Sequence, residues 1–172
     1  VEGGNWGLLS SDITRLPFKS ESYDSIICSE VLEHIHDDQK AVSEILRILK
    51  PGGNLIISVP RYWPEALCWL FSESYKNSEG GHVRIYTKKT LMNLFTNYDL
   101  RHMGSHHSHS IHTPFWILKC LLGLEKKSKL VDLYHTFLVW DMMKKPVITA
   151  FLDKLFNPVA GKSLVLYFRK PE

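Results

Sequence analysis

Cysteine is scarce in this chain, and its placement excludes two classes at once. Cys28, Cys68 and Cys120 are odd in number, far apart, and each sits in an apolar run. That spacing builds neither a disulfide framework nor a four-ligand zinc site; it reads as buried free thiols in a reducing compartment. Long hydrophobic runs are missing too. The longest, Pro114 to Leu124, is interrupted by Lys119 and falls short of the ~20 apolar residues a membrane-spanning helix needs. Neither sign of charge dominates: 21 Lys and Arg against 18 Asp and Glu leave a net charge of +3. No run of basic residues with interleaved aromatics tracks a phosphate backbone, so no nucleic-acid partner is expected. The chain opens Val1-Glu2-Gly3-Gly4, with no initiator methionine and no signal-peptide pattern, and a cytoplasmic location is expected. Repeats and low-complexity linkers are absent, which argues against a second domain.

What is present suits one globular unit. A chain of 172 residues with 44% hydrophobic content can bury a real core, but is too short for two comfortable ones. Gly7 to Asp12 is a short apolar run closing on an acid, expected to end a strand, and Leu16-Pro17-Phe18 follows as a loop. Tyr23 to Cys28 has the β-branched density of a buried strand. A helix is expected from Asp37 or Asp38, with Val42, Ile45, Leu46 and Leu49 at helical spacing and Lys50-Pro51-Gly52-Gly53 as its stop. Asn54 to Pro60 reads as a second buried strand. Near-continuous apolar strands separated by a helix imply a parallel sheet covered on both faces, hence an α/β fold.

The remainder is less regular. Pro64 to Phe71 starts an aromatic-rich helix, and Gly80-Gly81-His82 is a turn. Thr87 to Asn97 is a helix capped by Thr87, and Tyr98 to Ser108 has the pattern of a strand. Thr113 to Leu124 and Val131 to Phe156 read as two or three helices broken at Pro146, before a closing strand from Lys162 to Arg169.

Four segments, in order, carry a family resemblance: Asp12-Ile13 with Leu16-Pro17-Phe18; Tyr23 to Cys28 running into Glu30-Val31-Leu32-Glu33-His34; Leu49-Lys50-Pro51-Gly52-Gly53; and Gly81-His82-Val83-Arg84 ahead of a helix. Together they resemble the class I S-adenosylmethionine (SAM) methyltransferases over the first half of the chain. The resemblance implies a Rossmann-like sheet ending in an antiparallel hairpin, here supplied by 98–108 and 162–169 around a helical insertion. It also implies a single partial domain over 1–172, with residues 110–160 as an insertion or lid within it. The glycine-rich SAM loop of the family is not found, so the domain is expected to be N-terminally truncated; Gly3-Gly4 is no substitute without a strand before it and a helix after it. A dehydrogenase-type nucleotide-binding fold fits the α/β pattern but not the Leu-Lys-Pro-Gly-Gly and Glu-His segments.

In a parallel sheet, ligands bind beyond the carboxyl ends of the strands, where Asp12, Ser29 to His34 and Pro60-Arg61 are expected to gather. By resemblance, Asp12 accepts a hydrogen bond from the adenine amino group of SAM and Ile13 packs on the ring. Cys28, Ser29 and Glu30 face its methionine part. Glu30, Glu33 and His34 resemble the divalent-metal motif of some O-methyltransferases; the alternative is a metal-free relative in which the glutamate makes a structural hydrogen bond. His34 and His82 are candidate bases beside the acceptor, or packing residues around the cleft. His102, His106, His107, His109 and His112 crowd one segment, but strand alternation splits them between faces.

The aromatic segments around Trp63, Trp69, Trp116, Trp140 and Phe151, with neighbouring lysines, suggest a lid over a small or lipid-like acceptor, a peripheral membrane contact, or a homodimer interface; plain core packing is the simpler reading. The expected activity is SAM-dependent methyl transfer to oxygen or carbon. A catalytically inactive remnant serving as a folding or interaction module is the alternative.

Overall fold

The structure, a computed structural model, describes residues 6–172. Gly3-Gly4 lies outside the described residues. Strand β1 (Tyr23–Ser29) leads through a 3-10 turn (Leu32–His34) to helix α1 (Asp38–Ile48) and strand β2 (Leu49–Pro60). Helices α2 (Tyr62–Phe71), α3 (Glu73–Lys76) and α4 (Lys88–Asn93) precede β3 (Arg101–Ser108). Three more helices, α5 (His112–Leu122), α6 (Lys129–Lys144) and α7 (Val147–Ala160), come before the last strand, β4 (Ser163–Arg169).

The four strands form one sheet in the order β1-β2-β4-β3. β1 and β2 run parallel, as expected for strands joined by a helical crossover. β4 lies antiparallel between β2 and β3. A parallel pair closed by an antiparallel hairpin, with helices inserted between the hairpin's strands, is the α/β arrangement the sequence implies.

The local chemistry explains the boundaries. Asp37 caps α1 by accepting from the Lys40 amide at 3.0 Å. One stripe of α1, including Val42, Ile45 and Leu46, is buried with Leu32, Leu55, Ile57, Leu166 and Phe168 in the main core. Helix α1 ends at Ile48, and Leu49 already pairs with Tyr23; the register then jumps so that Ser25 faces Asn54. Lys50 to Gly53 therefore forms a bulged opening to β2 as well as a helix stop. Thr87 and Thr90 close a reciprocal capping box on α4.

Tyr23 to Cys28 is a strand, as expected, but not a buried one. It forms the sheet edge, Ile27 is 70% exposed and Cys28 alone is buried, so this part of the sheet is not covered on both faces. Two further expectations need correction. Gly7 to Asp12 forms no strand: Leu8 is 96% exposed, and no strand lies beside it among the described residues. An apolar run without a hydrogen-bonding neighbour has nothing to hold it extended. The second concerns the histidines: β3 ends at Ser108, and His109 lies beyond it with φ +63°, so strand alternation stops before reaching it. Within β3, His106 stacks on Tyr167 with ring centroids 5.6 Å apart.

Candidate functional site

The carboxyl ends of β1 and β2 are tied together by serines and Glu30. Ser29 and Ser58 share a hydroxyl hydrogen bond of 2.8 Å, and the Ser58 hydroxyl donates to Glu30 Oε1 at 3.0 Å. The Glu30 amide donates to the Ser58 carbonyl at 2.9 Å. Glu30 adopts φ +53°, a left-handed conformation that disfavours a side chain with Cβ. The hydrogen bonds to Ser58 hold this turn at the strand end in place.

Past that turn the chain places Glu33 in the interior. Its side chain is 1% exposed, yet neither carboxylate oxygen has a hydrogen-bond partner. Burial pushes its pKa up to about 6; neighbouring Glu30 adds to the rise, while His82 and His34 oppose it. An unpartnered buried carboxylate is costly, so its retention calls for an explanation.

Two imidazoles face it. His34 Nε2 lies 3.9 Å from Glu33 Oε1, while His34 Nδ1 sits 2.9 Å from the Gly80 carbonyl and 3.1 Å from that of Gly81. Carbonyls only accept, so Nδ1 carries the proton and Nε2 keeps a lone pair in the neutral ring. The His82 ring packs edge-on against His34, centroids 4.8 Å apart. Its Nδ1 is 2.5 Å from Oε1 of Glu65, a carboxylate only 2% exposed on α2. The second oxygen of Glu65 accepts from the Tyr75 hydroxyl at 3.3 Å. Burial and the adjacent Glu65 push the Tyr75 phenol well above its ordinary range. Glu33, His34 and His82 bring one ligand atom each to within 4.8 Å of one another.

The Gly81-His82 turn is held against the sheet. Val83 N–H donates to the Glu33 carbonyl at 2.8 Å, Arg84 pairs with Asp38, and the buried Tyr86 hydroxyl donates to Asp38 at 2.7 Å. Asp38 opens α1, so the first helix and the His82 turn are locked together.

The residues expected at the cofactor do not share one cavity. Asp12 is exposed and its Oδ1 accepts from both the amide and the hydroxyl of Thr14, at 2.8 and 2.9 Å; the backbone donor in particular lowers its pKa. Ile13, Cys28 and Val31 line an apolar slot of about 370 Å³. Burial, reinforced by Glu33, raises the Cys28 thiol to about 12, which makes it inert as a nucleophile. Ser29 and Glu30 line a different cavity of about 280 Å³, shared with His109, His112, Lys162 and Met142. The structure thus gathers Glu33, His34 and His82, whereas the Glu30 carboxylate is taken by Ser58. Sequence reasoning missed Glu65 and Tyr75; the only signal was a lone acid in the apolar run Trp63 to Phe71.

Residues 2–57 match the family model described as a methyltransferase domain. The demethylmenaquinone methyltransferase of Streptomyces avermitilis is 40% identical over 50 residues, covering 29% of this chain and 22% of that protein. The matched region thus spans about a fifth of the curated relative's length. Among solved structures, a methyltransferase from Bacillus halodurans, described as putative, superposes with a TM-score of 0.56 at 20% identity, over 94% of this chain and 70% of that one. The [4+2]-cyclase SpnF gives 0.52 at 17% identity, over 94% and 54%. The first third of the chain is thus similar to a methyltransferase domain, and its fold is shared with solved methyltransferase structures. That a cyclase shares the fold shows that the reaction must be argued from the site.

Proposed function

We propose that this chain serves SAM-dependent methyl transfer to a small or lipid-like acceptor, at oxygen or carbon, with His82 as base. The observation that carries the reading is the His82–Glu65 contact beside Glu33 and His34, at the strand ends where α/β sheets bind ligands. SAM supplies a methyl group on a sulfonium, already activated for displacement. The protein's share is then alignment, exclusion of water and removal of one proton. Glu65 fixes the His82 tautomer and favours the protonated ring that forms when Nε2 takes a proton from the acceptor. The similarity to demethylmenaquinone methyltransferases favours a hydroxylated, quinone-like acceptor with an apolar tail.

The residues present fit part of SAM. The apolar slot walled by Ile13, Cys28 and Val31 suits a flat adenine ring, and the exposed Asp12 carboxylate beside Ile13 suits its amino group. Ser29 and Glu30, at the end of the same strand, would face the methionine part of SAM.

Calorimetric titration with SAM tests the cofactor half, and transfer of a labelled methyl group to a demethylated quinol analogue tests the acceptor half. Saturable micromolar binding that Asp12→Ala weakens at least tenfold is expected. Absence of binding overturns the reading in favour of an interaction module.

A second reading keeps the same residues and adds a divalent metal. Both histidines have Nδ1 engaged by an acceptor and Nε2 left over, the arrangement in which metal-bound imidazoles are usually held. Glu33 adds a buried carboxylate with no other partner. Two nitrogens and one carboxylate suit zinc, manganese, iron or cobalt better than magnesium. Such an ion would lower the pKa of an acceptor hydroxyl. Cobalt(II) titration followed by visible absorption tests it: saturation at one equivalent that Glu33→Ala abolishes is expected, and an unchanged spectrum removes the metal.

A further inference from the structure

Helix α7 is turned inside out for a protein in water. Its polar side faces the molecule: Asp153 accepts from the Ser110 hydroxyl at 2.6 Å and the Ile111 amide at 3.0 Å, and Asn157 accepts from the Ser110 amide at 2.9 Å. Thr149 is its one buried side chain. The opposite stripe, Ile148, Phe151, Leu155 and Val159, runs at helical spacing and is exposed at 74%, 64%, 56% and 72%. Helix α6 adds a second such face. Val131 and Leu138 pack it onto α5, while Leu130, Leu133, Phe137 and Trp140 line an open apolar groove. Exposed apolar stripes of this kind mark interaction or membrane sites.

The charges around it narrow the occupant. Lys144 and Lys145 stand at the corner between the two helices, next to Met143 and Val147, which are 77% and 85% exposed. Lys126, Lys127 and Lys129 stand at the other end of α6, and Lys154 on α7. None of these lysines is in an ion pair among the described residues. Asp153, the single acid on α7, is already occupied inward, and Asp141, one turn before the corner on α6, is in no ion pair with the lysines among the described residues. An apolar wedge rimmed by free ammonium groups complements one surface in particular, a bilayer with anionic headgroups: the side chains enter the acyl region and the lysines reach the phosphates.

We propose that α6 and α7 form a membrane-docking surface for anionic lipid, with Met143, Val147, Ile148 and Phe151 as the inserting residues. Met142, next to the wedge, also lines the cavity that holds Ser29 and Glu30. Docking would therefore bring that cavity close to the lipid. This last point rests on the proposed function; the docking itself does not.

Co-flotation of the whole chain with vesicles separates the outcomes. Vesicles of phosphatidylcholine with 30% phosphatidylserine, an amount set by the test, are compared with phosphatidylcholine alone. Binding to the anionic vesicles is expected, falling as salt rises. Lys144→Glu with Lys145→Glu is expected to weaken it about twentyfold or more. Ile148→Asp with Phe151→Asp is expected to abolish it while the circular-dichroism melt stays put, because both side chains face outward. In the unaltered protein, brominated lipid should quench a fluorescence component that is missing in Trp140→Phe. Failure to float with anionic vesicles overturns the proposal. So does a dimer in sedimentation that Ile148→Asp dissociates without any vesicle binding, which would assign the face to a second copy. Docking with no methyl transfer would sink the enzyme reading alone.

Discussion

His82 Nδ1 and Glu65 Oε1 are 2.5 Å apart, and they join a glycine turn to a buried acid on a helix that precedes it by 17 residues. The pair is half of a relay that ends at Tyr75. Removing the ring and removing its anchor should therefore have different sizes of effect. His82→Gln is expected to lower methyl transfer to a hydroxyl acceptor by about a hundredfold or more, the usual share of a general base. Glu65→Gln, which keeps the volume but lets the side-chain amide replace the carboxylate anchor of the ring, should cost about tenfold. Equal rates in both variants and the parent would place the base elsewhere.

Glu33 gives a stability prediction with a definite sign. Its carboxyl titrates near 6 in the fold, above its ordinary value of 4.5, so the folded state binds the proton more tightly than the unfolded one. The unfavourable contribution is therefore absent below about pH 4.5 and develops as pH rises through 6. At pH 8 it reaches about 2 kcal/mol. Glu33→Gln should melt several degrees higher than the parent at pH 8 and at nearly the same temperature at pH 4.5. Parallel stability curves for the two proteins would contradict this.

Arg47 holds the loop that presents Asp12 and Ile13. Its guanidinium donates to the carbonyls of Phe18 and Leu16, at 2.8 and 3.0 Å, and pairs with Glu44, which in turn accepts from the Leu16 amide. That guanidinium keeps the Glu44 carboxyl down at about 2, so the clamp should persist far into acid. Arg47→Met is expected to speed hydrogen exchange at the Leu16 amide more than tenfold and to weaken SAM binding, with little change in the global melt. Unaltered exchange at Leu16 would show that the loop stands without the clamp.

The two glycines in the bulged opening of β2 should respond differently to alanine. A Cβ on Gly53 would lie 2.7 Å from Leu49 Cδ1 and 2.8 Å from the Lys50 carbonyl oxygen, the latter being backbone that cannot step aside. Gly53→Ala is expected to cost about 1–3 kcal/mol by overpacking. Gly52 has open space, with Glu172 Cγ at 3.7 Å, and suffers only from its φ of +71°. Gly52→Ala should cost about 1 kcal/mol. Denaturant midpoints would rank them, and the reverse order would refute the steric account.

Much of the sheet was legible because its strands are β-branched or apolar runs with helical punctuation between them, as in Asn54 to Pro60. The caps Asp37 and Thr87 were legible for the same local reason. Tyr23 to Cys28 was legible as a strand but not as an exposed edge, since its own residues do not say whether a neighbour covers them. Gly7 to Asp12 misled, because an apolar run specifies a strand only when a neighbour completes its hydrogen bonds. The site was readable where it is local. Glu33-His34 stands out as a dipeptide, and His82 as a histidine on a glycine turn. Glu65 did not, since nothing in its own helix announces a partner 17 residues downstream that folds back on it. The reversed polarity of α7 was equally hidden: periodicity reports two faces of a helix but not which one meets the protein.

Ser108 and Ser163 are register partners in the β3–β4 ladder. Residues 109–162, with all of α5, α6 and α7, thus leave the sheet and rejoin it at adjacent points. A segment entered and left through one doorway can lengthen, shorten or be exchanged for another without shifting a single strand. The sheet is thereby free to keep its chemistry while the appendage changes with the company the protein keeps.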